Sequence, residues 1–185
     1  VRVTKRQARL FFGLILFSGL LFIIMPVAAQ TEPQAAQNIH VYLPLITNPA
    51  IATQIEQQVV DLTNQYRQQN GCAALTLSRE LTLAARGHSQ DMADNDYFGH
   101  NDQSAHSPSW RAAQAGYDGV AGWENIAAGY ATAESVVSAW YNETPPNDGH
   151  RRNMLNCSLT DIGVGYGDNP SSTYGSYWTQ DFGMH

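Results

Sequence analysis

The chain has 185 residues with ten basic and sixteen acidic side chains, room for one domain plus a targeting segment. Four of the basic residues (Arg2, Lys5, Arg6 and Arg9) precede Leu10 and every acid lies beyond residue 30, so the remainder carries six arginines against sixteen acids, a formal charge of −10. That balance argues against nucleic acid or an anionic membrane surface as the main partner.

The N-terminus joins that basic cluster to an apolar run from Leu10 to Met25, broken only by Gly13, Ser18 and Gly19. Pro26 ends the run, and Val27-Ala28-Ala29 offers small residues before Gln30. The pattern reads as a secretory signal peptide over 1–29, cleaved after Ala29. The alternative is an uncleaved anchor, although the run is shorter than the roughly 20 residues a span needs. Either reading places the domain outside the cytoplasm, secreted or at the cell envelope, with the membrane as partner only through an uncleaved segment. Residues 30–50 read as a linker rich in Gln, Pro, Ala and Asn. Its apolar patch from Ile39 to Ile46 is interrupted by Pro44, which keeps it out of a central strand.

The domain is expected over 51–185. Thr53 and Glu56 form a capping-box pattern, and Ile55, Val59, Leu62 and Tyr66 recur at helical spacing until Asn70-Gly71. Ser78 caps a second helix with Glu80 in its first turn. Leu81, Ala85, His88 and Met92 make its inward stripe, with His88 read as a core histidine. The polar stretch from Asp94 to Asp102 is a loop carrying His100. Ser107-Pro108-Ser109 opens a short helix closed by Gly116. Gly119 to Gly129, rich in Gly and Ala around Glu124, reads as irregular or briefly extended backbone. Thr132 caps a further helix through Val136, Val137 and Trp140, and the turn Pro145 to Gly149 delivers His150. Two strands follow, Asp161 to Tyr166 and Tyr174 to Phe182, each alternating side to side. Helices first and antiparallel strands after predict an α+β domain.

Cys72 and Cys157 are the only cysteines. In an exported chain an even count suggests a disulfide, with two buried thiols as the alternative.

Several short words stand in a telling order: Asn64-Gln65-Tyr66-Arg67, His88-Ser89-Gln90-Asp91-Met92-Ala93, Phe98-Gly99-His100, Glu124-Asn125-Ile126-Ala127, Trp140, Gly149-His150-Arg151, Ile162-Gly163-Val164-Gly165-Tyr166, and Trp178-Thr179-Gln180-Asp181-Phe182-Gly183. Together they resemble a bacterial-type domain of the CAP superfamily (cysteine-rich secretory, antigen 5, pathogenesis-related-1; also called SCP). The resemblance implies a three-layer α-β-α sandwich around a central antiparallel sheet. It also implies a cleft holding a His-Glu-Glu-His tetrad, here His100, Glu124, Glu143 and His150.

Three functions stay open. The first is a divalent-metal site with His100 and His150 as ligands, because two neutral imidazoles suit Zn²⁺. Glu124 and Glu143 would support the rings, and Trp123 would line the cleft. The second is a hydrolase of peptidase type using Glu124 and His150 as candidate catalytic groups. The third is a non-catalytic network or binding module whose partner is a small ligand, a lipid or a protein. No motif calls for an organic cofactor. His106, close to His100 in sequence, is a possible additional ligand.

Overall fold

The structure, a computed structural model, describes residues 52–185. The expected signal peptide, the linker and Ile51 lie outside the described residues. Among the described residues no helix is long and apolar enough to cross a membrane.

Four of the helices start where their caps predict. Thr53 accepts the Glu56 N–H while the Glu56 carboxylate accepts the Thr53 N–H at 2.6 Å, opening α1 (Gln54–Gln69). Ser78 caps α2 (Arg79–Asp94), Ser107 caps α3 (Pro108–Gln114) with Pro108 in its first turn, and Thr132 caps α4 (Ala133–Tyr141). Such caps satisfy N–H groups that the helix itself leaves unpaired.

Four strands form one sheet in the order β1-β3-β4-β2. β3 (Asp161–Asp168) and β4 (Ser176–Met184) are antiparallel neighbours, and β2 (Val120–Ala128) pairs antiparallel with β4 on the other side. β1 (Thr76–Leu77) adds a two-residue parallel edge beside β3. The stretch 120–128, within the segment read as irregular or briefly extended, is a nine-residue strand with one register shift between Ala121 and Trp123. His150 lies in a short helix, α5 (Gly149–Met154), where only a turn was expected.

Helices cover both faces of the sheet. On one face Val59 of α1 and Val136, Val137 and Trp140 of α4 join Ile162, Val164, Trp178 and Phe182 in the main core. On the other face α2 lies along β3 at very short range. A Cβ added at Gly163, Gly165 or Gly167 would come within 2.1, 2.2 or 2.6 Å of the backbone carbonyl carbon of Leu81, Ala85 or Ser89 respectively. The alternation of β3 therefore has a physical meaning: branched or aromatic residues build one core, while glycines admit a helix backbone on the other face. This is the three-layer α-β-α arrangement.

The layers are also tied around the sheet. Glu56, 1 % exposed, takes the Arg86 guanidinium of α2 through both carboxylate oxygens. Burial pushes its carboxyl up, but Arg86 and Thr53 outweigh that and hold it below the usual value. Cys72 and Cys157 are disulfide-bonded.

Candidate functional site

Four separate elements supply the tetrad. His100 follows α2, Glu124 sits in β2, Glu143 follows α4, and His150 lies in the first turn of α5. All four line one cavity of about 310 Å³ together with Asn147, Gly149 and Asn153. The structure thus brings the four side chains to one cavity.

Within the cavity the tetrad divides into two pairs. His100 Nδ1 lies 2.7 Å from Glu124 Oε1, and His150 Nδ1 lies 2.5 Å from Glu143 Oε1. A carboxylate can only accept, so in the neutral imidazole each Nδ1 carries the proton. Each Nε2 then holds a lone pair, and no described residue engages it. Among the described residues no three His, Cys, Asp or Glu side chains form a ready ligand set. The site is two imidazoles, each oriented by its own carboxylate.

Buried partners fix both pairs. Glu124, 5 % exposed, also receives Nη2 of Arg111 from α3. The same guanidinium donates through Nη1 to the carbonyls of His100 (2.9 Å) and His106 (3.0 Å), pinning the loop that carries His100. On the α5 side, Asp148 makes no side-chain cap. Glu143 takes over that role, because its Oε2 accepts the His150 N–H at 3.0 Å. The five residues between Glu143 and Gly149 therefore leave Glu143 in the cleft.

A row of amides seats α5 on the sheet. Asn125 Nδ2 donates to the His150 carbonyl at 3.1 Å and to Gln180 Oε1 at 3.0 Å. Asn153 Nδ2 donates to Asn125 Oδ1 at 2.9 Å and to the Glu124 carbonyl at 3.1 Å. Gln180 Nε2 reaches Thr63 Oγ1 of α1 at 2.8 Å. These residues and Arg111 position the tetrad, and sequence reasoning gave none of them that role. Three of them (Asn125, Asn153 and Gln180) stood beside or within the quoted words, which was the available signal.

Other expected residues lie elsewhere. Trp123 is partly buried against the main core and does not line the cavity. His106 bonds to Asp102 Oδ2 through Nδ1 at 3.0 Å and stacks on Trp110 at 3.6 Å, outside the tetrad cavity. Arg151 braces the turn, donating to the Tyr141 carbonyl at 2.6 Å with its guanidinium 4.2 Å from the centre of the Tyr141 ring. His88 is 1 % exposed, its Nε2 bonded to the Gly99 carbonyl at 2.9 Å, so its reading as a core histidine holds.

The model of the CAP (cysteine-rich secretory protein) family matches residues 60–182. The chain belongs to the CAP family. It is 41% identical over 134 residues to the Bacillus subtilis (strain 168) protein YkwD, covering 72% of this chain and 49% of YkwD. It is 35% identical over 132 residues to the membrane protein YlbC of the same strain, covering 71% of this chain and 35% of YlbC. The chain thus spans half or less of the curated relatives it matches. A crystal structure of an extracellular SCP-domain protein from Bacillus anthracis is 33% identical with a TM-score of 0.61, over 70% of this chain and 40% of that one. Its SCP domain matches the four-stranded α-β-α fold described above.

Proposed function

We propose that the CAP cleft binds a divalent cation, Zn²⁺ foremost, through Nε2 of His100 and Nε2 of His150. The observation that carries this is the pairing of each Nδ1 with a carboxylate. Metal-bound histidines usually donate their other ring N–H in this way, which fixes the tautomer and raises ligand basicity. Glu124 and Glu143 hold the rings, and the remaining positions fall to water or to a group of the bound ligand. The net negative charge of the domain favours a cation. We place the domain outside the cytoplasm, in keeping with the Cys72–Cys157 bond and the extracellular B. anthracis relative.

Hydrolysis is the alternative. Glu124 already accepts from His100 and Arg111, and Glu143 from His150 twice, so neither carboxylate is free to act as a general base. That role would fall to the same two Nε2 atoms that the metal reading uses as ligands.

Calorimetric titration of Zn²⁺ into the metal-stripped protein, beside a His100→Ala/His150→Ala variant, tests the reading. One saturable site is expected in the parent and none in the folded variant. An absence of binding, or equal binding by both proteins, rejects it.

A further inference from the structure

A further cavity lies apart from the tetrad cleft. It measures about 450 Å³ and lies between α2, α3 and the loop at 102–104, on the sheet face opposite α1 and α4. Three features of its wall are unexplained by the fold.

The first is Gly87, in the middle of α2. A Cβ added there would meet nothing within 4 Å. Glycine weakens a helix interior, and here, unlike Gly163 or Gly165, no neighbouring backbone requires it. What glycine does provide at this place is room in the cavity wall.

The second is a pair of orphaned polar atoms. His88 and Arg111 both line the cavity and are 1 % and 8 % exposed. Among the described residues, His88 Nδ1 and Arg111 Nε have no hydrogen-bond partner. His88 Nε2 faces a carbonyl oxygen and so carries the ring proton. Burial lowers the His88 pKa, which keeps the ring neutral. Nδ1 is therefore an unused acceptor, and the Arg111 Nε–H an unused donor. A hydroxyl group is the simplest chemistry that can supply a donor to one and an acceptor to the other.

The third is the rim. Trp110 and Leu83 are two of the few large apolar side chains left exposed, at 44% and 37%. His106 stacks on the Trp110 indole and steadies it. Asp91 and Asp102 stand at the same rim. They disfavour an anion, and the charge of Arg111 is already matched by Glu124. A neutral molecule with many hydroxyls and one flat apolar face fits this wall.

We propose that the cavity between α2 and α3 binds a neutral saccharide, its ring laid against Trp110 in the space left by Gly87 and its hydroxyls directed to the wall carrying His88 and Arg111. Aromatic side chains with a few convergent polar groups are the usual make-up of a small-molecule site. The site is separate from the tetrad cavity, with which it shares no lining residue.

The test is a titration of the ¹⁵N-labelled protein with four neutral trisaccharides of gluco, manno, galacto and N-acetylglucosamine type, followed by ¹H–¹⁵N correlation spectra. At least one is expected to shift the Gly87 amide and the Trp110 indole N–H saturably while the His150 amide stays in place. Gly87→Leu, which fills the cavity from an exposed helix position, and Trp110→Ala should each weaken binding at least about threefold. Gly87→Leu should also melt no lower than the parent, since leucine is the better helix former. Saturable shifts from none of the four, or an affinity within threefold of the parent in either folded variant, overturns the proposal. Zinc titration of the same variants keeps the outcome independent of the tetrad.

Discussion

Asp181 is a side chain whose surroundings strongly favour its uncharged form. It is 2 % exposed on β4, directly opposite Glu124 of β2, so the two carboxyls share one face of the sheet. Neither oxygen has a hydrogen-bond partner among the described residues. Burial, and next to it the negative charge of Glu124, raise the Asp181 pKa well above 3.8, against a smaller opposing pull from Arg111. Asp181 therefore favours its protonated form more than a free aspartate does, beside a Glu124 that Arg111 and His100 already engage. An acid whose folded value lies above its unfolded value holds its proton more tightly in the folded chain. The stability this provides is full below pH 3.8 and is lost as pH climbs from there toward the raised folded value. Asp181→Asn removes that slope while keeping a neutral polar group of the same size. The variant should gain on the parent as pH rises from 4 to 7.5, by more than about 1 kcal/mol in urea denaturation. A stability difference that stays constant across this range would show that Asp181 ionises normally.

At the scale of elements, the contact between α2 and β3 governs the cleft, because α2 leads directly into the loop that carries His100. Gly165 lies where an added Cβ would sit 2.2 Å from the Ala85 carbonyl carbon, a backbone atom that cannot turn aside. Gly165→Ala should force the helix off the sheet and cost about 1–3 kcal/mol or more, read by urea denaturation. An unchanged midpoint would mean that the layer yields easily. The same contact explains what the sequence made legible. The glycine alternation in 161–167 and the caps at Thr53, Ser78, Ser107 and Thr132 are local signals, and those elements start at or close to the expected places. The regular nine-residue length of β2 escaped recognition because Glu124, Asn125, Ile126 and Ala127 are all buried, which erases the in–out alternation of a half-exposed strand. α5 escaped because its cap is Glu143, six residues before the helix begins, rather than the adjacent Asp148. The tetrad was readable from words in order. Its supports were not, since the reach of Arg111 to Glu124 or of Asn153 to Asn125 is a fact of space and not of spacing.

Over the whole molecule, all four tetrad residues fall inside the 85-residue separation closed by Cys72–Cys157. The same junction has a second fastening in Arg67, whose guanidinium is fully buried. It donates to the carbonyls of Ala73, Met154 and Asn156 at 2.9 Å each and of Leu159 at 3.0 Å. The two fastenings act on different states. The disulfide chiefly limits the unfolded chain, whereas Arg67 satisfies acceptors that are buried only in the folded one. Cys72→Ser/Cys157→Ser should therefore keep the parent's near-ultraviolet circular dichroism while losing about 2–4 kcal/mol in urea. Arg67→Met, with the disulfide intact, leaves the carbonyls of Met154 and Leu159 without their side-chain donor in the interior. It should lose at least as much and alter the near-ultraviolet spectrum as well, because the end of α5 must shift to find new donors. The reverse pattern, a changed spectrum in the serine variant and a preserved one in Arg67→Met, would make the covalent bond, and not the guanidinium, the part that shapes the cleft's far end.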